Sequence, residues 1–230
     1  MRRLVALVPL ALVVGLLGVA TPIAAQGTPT PVAARGAQGD RHAMPSAYSW
    51  LTRTDPASAY SIAVVRGRTP ASALRATGEV KKRLGRMTPQ EAALYVIEHA
   101  DLETYDYPAV VQVQQLGHSV VLYEPYGFRP AFRLARLSAN GIAAAFSTTN
   151  GGRKEAKVAK RGDVVRSFSV RRRPPQHNAL PQERGLDFGA PGQNPFATGW
   201  AFNERLTLTH ISRRWFHRKH PTFVVKGPTH

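Results

Sequence analysis

Residues 109–123 read AVVQVQQLGHSVVLY. Two apolar, period-2 runs flank Leu116-Gly117-His118. Alternation of that kind marks β-strand, and a glycine at the break predicts a β-hairpin or two successive strands. A hairpin pairs its strands antiparallel, so this stretch points to an antiparallel sheet.

Working outward, residues 61–65 (SIAVV) form a short apolar run ended by Gly67, which predicts a buried strand. Downstream, Asn140-Gly141 precedes a strand over 142–148. Asn150-Gly151-Gly152 and Arg161-Gly162-Asp163 are turn signals around strands 156–160 and 164–170. The segment PTFVVKG (221–227) predicts a last strand.

The helices are announced by their caps. In RGRTPASALRATG (66–78), Thr69 stands at an N-cap, Pro70 at the first helical position and Gly78 just past the end. The chain repeats this at LGRMTPQEAALYVIEHA (84–100), where Glu91 follows Thr88 by three and completes a capping box. Ala92, Leu94 or Tyr95, and Glu98 would continue that helix to about residue 100. A phosphate cradle needs several glycine amides and a Lys-Ser/Thr. Each copy here has one Gly, an Arg and a Pro that removes an amide, so both read as helix starts.

PAFRLARLSAN (130–140) predicts a helix with Phe132, Leu134 and Leu137 toward a core, and residues 200–218 predict one or two closing helices. Between them, residues 174–195 form a Pro/Gly-rich connection. Strands in adjacent runs with helices interspersed predict an α+β fold: a mostly antiparallel sheet, several short helices and a single domain over 48–227.

Several phrases, YSWL, SIAVVRGRTPASAL, RLSANGIAAAF, DVVRSFSV, LPQERGLDF, NERLTLTHIS and HPTFVV, occur in an order and spacing that resemble an actinobacterial family of uncharacterised proteins with a domain-of-unknown-function label. The resemblance covers residues 48–225. It implies one domain and an actinobacterial source, and it brings no catalytic residues.

The N-terminus carries an address. Met1-Arg2-Arg3 precedes an apolar run over 4–20 and small residues at 21–27, the layout of a secretory signal over 1–25. Cleavage after Ala25 or after Ala20 suits it. An uncleaved membrane anchor is the alternative, since the run approaches the roughly 20 residues that span a bilayer. Residues 26–47, rich in Gly, Ala, Pro and Thr, predict a disordered leader. Export to the cell surface or envelope, with no stable span after cleavage, is the expectation.

The chain has 31 Lys and Arg against 14 Asp and Glu, a net charge of +17, or +15 without residues 1–25. Such a surplus attracts polyanions such as nucleic acid, acidic lipid or phosphate-bearing wall polymers. With no cysteine, disulfides, thiolate nucleophiles and Cys-based metal sites are excluded. The charge concentrates in Arg153, Lys154, Lys157, Lys160, Arg161, Arg166, Arg171, Arg172 and Arg173, against only Glu155 and Asp163. If these strands pair, several of the nine cations could share one face and contact an anionic envelope polymer or partner. Phe168 is the only aromatic residue among them, so neither base stacking nor sequence-specific nucleic-acid reading is expected.

Other clusters are weaker. Glu98, Asp101, Glu103 and Asp106, with His99, could serve a hydrolase as paired carboxylates or lie as a solvated helix end. His210, His217 and His220 have metal-like spacing, but Arg213, Arg214, Arg218 and Lys219 among them would repel a cation, so neither a metal nor a cofactor is expected. A nucleophile elbow, a zinc-protease motif and a dinucleotide fingerprint are all missing. The chain therefore reads as a non-catalytic binding domain with a basic face, with an envelope hydrolase or a protein-interaction module as alternatives. Oligomeric state is not legible.

Overall fold

Successive side chains of the apolar central strands point to opposite faces and build a sheet that is apolar on both sides. The computed structural model describes residues 43–53, 59–101, 103 and 107–226; the expected signal segment, the expected leader up to residue 42 and Asp106 lie outside them. Eight strands form one sheet: β1 (Tyr60–Arg66), β2 (Glu79–Met87), β3 (Val110–Leu116), β4 (Ser119–Pro125), β5 (Ile142–Thr148), β6 (Lys154–Lys160), β7 (Asp163–Ser169) and β8 (His220–Lys226). Their order is β2-β8-β3-β4-β1-β5-β6-β7, and every neighbouring pair runs antiparallel. Five helices accompany them: α1 (Pro70–Thr77), α2 (Pro89–Glu98), α3 (Arg129–Phe132), α4 (Leu134–Leu137) and α5 (Pro195–Thr207). This is the expected α+β arrangement on an antiparallel sheet.

In β1, Tyr60, Ile62 and Val64 point to one face and Ala63 and Val65 to the other. The first face is aromatic. Tyr123, Phe146 and Phe168 pack there against Trp200 and Phe202 of α5 and against two 3-10 helices, Pro45–Arg53 and Arg213–His217. The second face is built of Ala63, Val65, Val120, Ala143, Ala145 and Ala159 under α1, α3 and α4. Two covered faces explain why β1 and β4 read as continuous apolar runs.

The edges are managed differently. Edge strand β2 carries Glu79, Lys81, Lys82, Arg83 and Arg86, and its pairing with β8 has two register breaks, one beside Gly85. Charge and irregularity disfavour pairing with another chain. They also removed the alternation, so nothing in the sequence marked β2 as a strand. Among the described residues, no helix is long and apolar enough to cross a membrane.

Local chemistry matches the caps. The Thr69 and Thr88 hydroxyls accept from the Ser72 and Glu91 amides, and the Glu91 carboxylate accepts from the Thr88 amide, which holds Glu91 below the usual carboxylate range. Arg68 donates to the carbonyls of Arg136 and Leu137 at the end of α4, so the first Gly-Arg is a clamp on a helix C-terminus. Arg161 and Gly162 both take positive φ, +52° and +94°, and make the two-residue β6–β7 turn, so Arg-Gly-Asp is hairpin geometry.

Two expectations shift. The single helix over 130–140 is two one-turn helices broken at Arg133, and Phe132 is 58% exposed instead of core. The buried stripe of α2 is Ala92, Ala93 and Val96, with Leu94 exposed, and the helix ends at Glu98. Within the segment expected as a leader (26–47), a 3-10 helix starts at Pro45, and Arg205 Nε donates to the Ala43 carbonyl at 2.9 Å.

Candidate functional site

At one end of the sheet β1 and β6 finish, β5 and β7 begin, and β3 turns into β4. The register sets Arg66 opposite Ile142, and Ile142 opposite Lys160, on the α5 face. Adjacent strands lie about 4.8 Å apart, so the two cations flank Ile142 with backbones ~10 Å apart. The Arg161 turn is docked beside them: its amide donates to the Gly141 carbonyl at 2.9 Å, and the Gly162 amide donates to Ser138 Oγ at 3.1 Å.

Two glycines make that docking possible. Gly67 has φ +86°, and a Cβ there would collide with the Asn140 carbonyl; a Cβ on Gly141 would lie 2.5 Å from the Arg66 carbonyl oxygen. Only bare backbones can cross so closely.

The result is an open concavity of about 920 Å³ lined by Arg66, His118, Asn140, Lys160, Arg161 and Leu206, among others. A smaller one, about 340 Å³, shares Arg66 and His118 and adds Ser119, Leu208, Thr209 and His210. Neither is lined by Phe, Tyr or Trp. Among the described residues, the side chains of Arg66, His118, Lys160 and Arg161 have no hydrogen-bond or ion-pair partner. Asp163 faces Lys160 across the β6–β7 turn without forming an ion pair. Unneutralised cations converging on one concavity attract anions more strongly than the same charges spread apart.

Of the nine expected residues, only Lys160 and Arg161 reach this place. Arg153 pairs with Glu155 at 2.5 Å. Lys154 lies over the Phe196 ring on the α5 face, 4.4 Å from its centroid, whereas Lys157 lies over Phe132 on the other face. Arg171 donates to the Gly152 carbonyl, and Arg172 and Arg173 are exposed beyond β7. Arg166 departs furthest from a surface role. It is 5% exposed, its Nε and Nη2 donate to the two carboxylate oxygens of Glu183 at 2.8 Å each, and Nη2 also donates to the Pro175 carbonyl. It fastens the 174–195 connection to the sheet. The expected common face is thus divided between two faces and one buried pair.

Sequence reasoning missed Arg66 and His118. They lie far from 153–173 in the chain, and only the β4-β1-β5-β6 register joins them to it.

The remaining clusters disperse. Glu98, Asp101 and Glu103 are exposed, and Asp101 Oδ1 accepts the Glu103 amide. His99 stacks on Tyr95. His217 is exposed, while His220 is buried, stacked on Trp215, with its Nε2–H donating to the Trp215 carbonyl at 2.9 Å. His210 pairs through Nδ1 with Glu204 Oε2 at 3.0 Å, and the same oxygen accepts from the Tyr48 hydroxyl at 2.5 Å. Burial, and then the bond to Glu204 and its charge, push the Tyr48 phenol well above its ordinary pKa. Among the described residues, no group of three or more potential metal ligands forms.

No family model, no curated protein and no solved structure matches this chain.

Proposed function

We propose that this is an exported binding domain, of the actinobacterial kind its phrases resemble, that holds an anionic envelope polymer in the basic concavity at the Arg66 end of the sheet. One observation carries the reading: Arg66, His118, Lys160 and Arg161 converge on one concavity, with no protein acid bound to any of them among the described residues. The absence of aromatic lining favours a polymer without bases, because single-stranded nucleic acid is usually held by stacking.

The test is binding of poly(glycerol phosphate) at several salt concentrations. Each cation lost from a phosphate contact should lower the log–log salt slope by about 1. The triple variant R66A/K160A/R161A should therefore lose most of the salt-dependent affinity. A charge-matched control, R171A/R172A/R173A, should keep it. Equal losses in the two variants would mean that net charge alone attracts the polymer, and the reading would fall.

A further inference from the structure

The smaller concavity holds more than charge. The Ser119 and Thr209 hydroxyls are hydrogen-bonded at 2.7 Å, tying the β3–β4 turn to the segment that follows α5. His118 and His210 each stand one residue from that bond, and both line the concavity together with Arg66. Glu204 engages Nδ1 of His210, and among the described residues Nε2 has no partner. A carboxylate on Nδ1 fixes ring orientation and leaves Nε2 able to accept a proton, the division of labour found in carboxylate–histidine general bases. Tyr48, donating to the same Glu204 oxygen, holds the carboxylate in turn.

We propose that this concavity is a proton-transfer site that hydrolyses a phosphodiester of the bound polymer, with His210 and His118 as base and acid. The proposal rests on the basic concavity being the polymer's binding site. Arg66 belongs to both concavities, so a phosphate held by it sits at their border. Water attacks phosphorus as His210 Nε2 takes its proton. The bond from phosphorus to the leaving alkoxide oxygen breaks, and charged His118 protonates that oxygen. Arg66 meets the negative charge that builds on the phosphoryl oxygens. One water is consumed, a phosphomonoester and an alcohol are released, and the proton on His210 returns to His118 through solvent. Glu204 is a positioning residue, since it acts through His210.

The test uses the purified chain in EDTA, with bis(4-nitrophenyl) phosphate as a chromogenic probe and poly(glycerol phosphate) as the polymer. The wild type should release 4-nitrophenolate and shorten the polymer. On poly(glycerol phosphate), H210A and H118A should each lower kcat at least 100-fold, with polymer binding kept in H210A, in line with general acid–base contributions of roughly 10² to 10⁴. E204Q should lower kcat with KM unchanged. Polymer that is bound but not shortened, or wild-type rates in H210A and H118A, would overturn the hydrolysis and leave the binding reading intact. Polymer neither bound nor shortened would overturn both. Faster cleavage of single-stranded RNA than of poly(glycerol phosphate) would overturn the substrate class.

Discussion

The two faces of the sheet solve the same problem with opposite materials. Under α5, rings fill the space: Tyr60, Tyr123, Phe146, Phe168, Trp200, Phe202 and Phe216 are all buried, and Phe202 contacts the rings of Phe168 and Phe188 at centroid distances of 5.5 and 5.8 Å. Under α1, α3 and α4, alanines predominate and the covering helices are eight residues or fewer. Large interlocking rings fill the space under a thirteen-residue helix; small side chains fill it under the short ones. The first face can be weakened by removing atoms, the second by adding them. The two concavities that share Arg66 open on the first, where α5 ends.

The largest effect should come from emptying the aromatic face. Phe202→Ala should cost about 4 kcal/mol in chemical denaturation, because the ring is fully buried and its neighbours cannot collapse into the gap. A cost below ~1 kcal/mol would mean that this face is loosely packed, and the contrast would fail. On the opposite face, Ala145→Leu should cost about 2 kcal/mol through overpacking against the covering helices. A neutral result there would reveal unfilled space.

Gly199→Ala sharpens the contrast within α5. Helix propensity alone would gain about 1 kcal/mol. The added Cβ would, however, run into the fully buried Phe146 ring, so net destabilisation of about 1 kcal/mol is expected from thermal or denaturant melts. Stabilisation would show that the helix can lift from the ring.

The smallest effect is a pH dependence rooted in the same face. Burial against Trp215 lowers the His220 pKa below its ordinary value of about 6.5. The unfolded chain therefore takes up this proton first, and stability should decline as pH falls below about 6.5, levelling off beneath the folded value. The denaturation midpoint at pH 7.5 and at pH 5.5 measures it, and His220→Gln should reduce the difference. An unchanged difference in that variant would assign the decline to other groups.

The fold was legible wherever alternation and caps were local. The run over 109–123, the Thr-Pro starts of α1 and α2 and the Arg-Gly turn each state their geometry within a few residues, and each is found in place. Strand β2 was invisible because an edge strand has no need of apolar alternation. Phe132 was misplaced because the backbone break at Arg133 puts it out of phase with the buried Leu134 and Leu137. The site was only a third legible by charge: Lys160 and Arg161 stood out, while Arg66, His118 and the Glu204–His210 pair did not.

The sequence by itself determined most of the elements (β2 excepted), the antiparallel pairing of its central hairpin and an excess of positive charge, because these depend on neighbours a few residues away. Only the tertiary structure decided which cations are free. Arg161 and Arg166 stand five residues apart in one basic run, yet one lines an open concavity and the other is buried against Glu183. Whether a charge faces solvent, a ligand or a buried partner depends on residues that the chain brings together from far away.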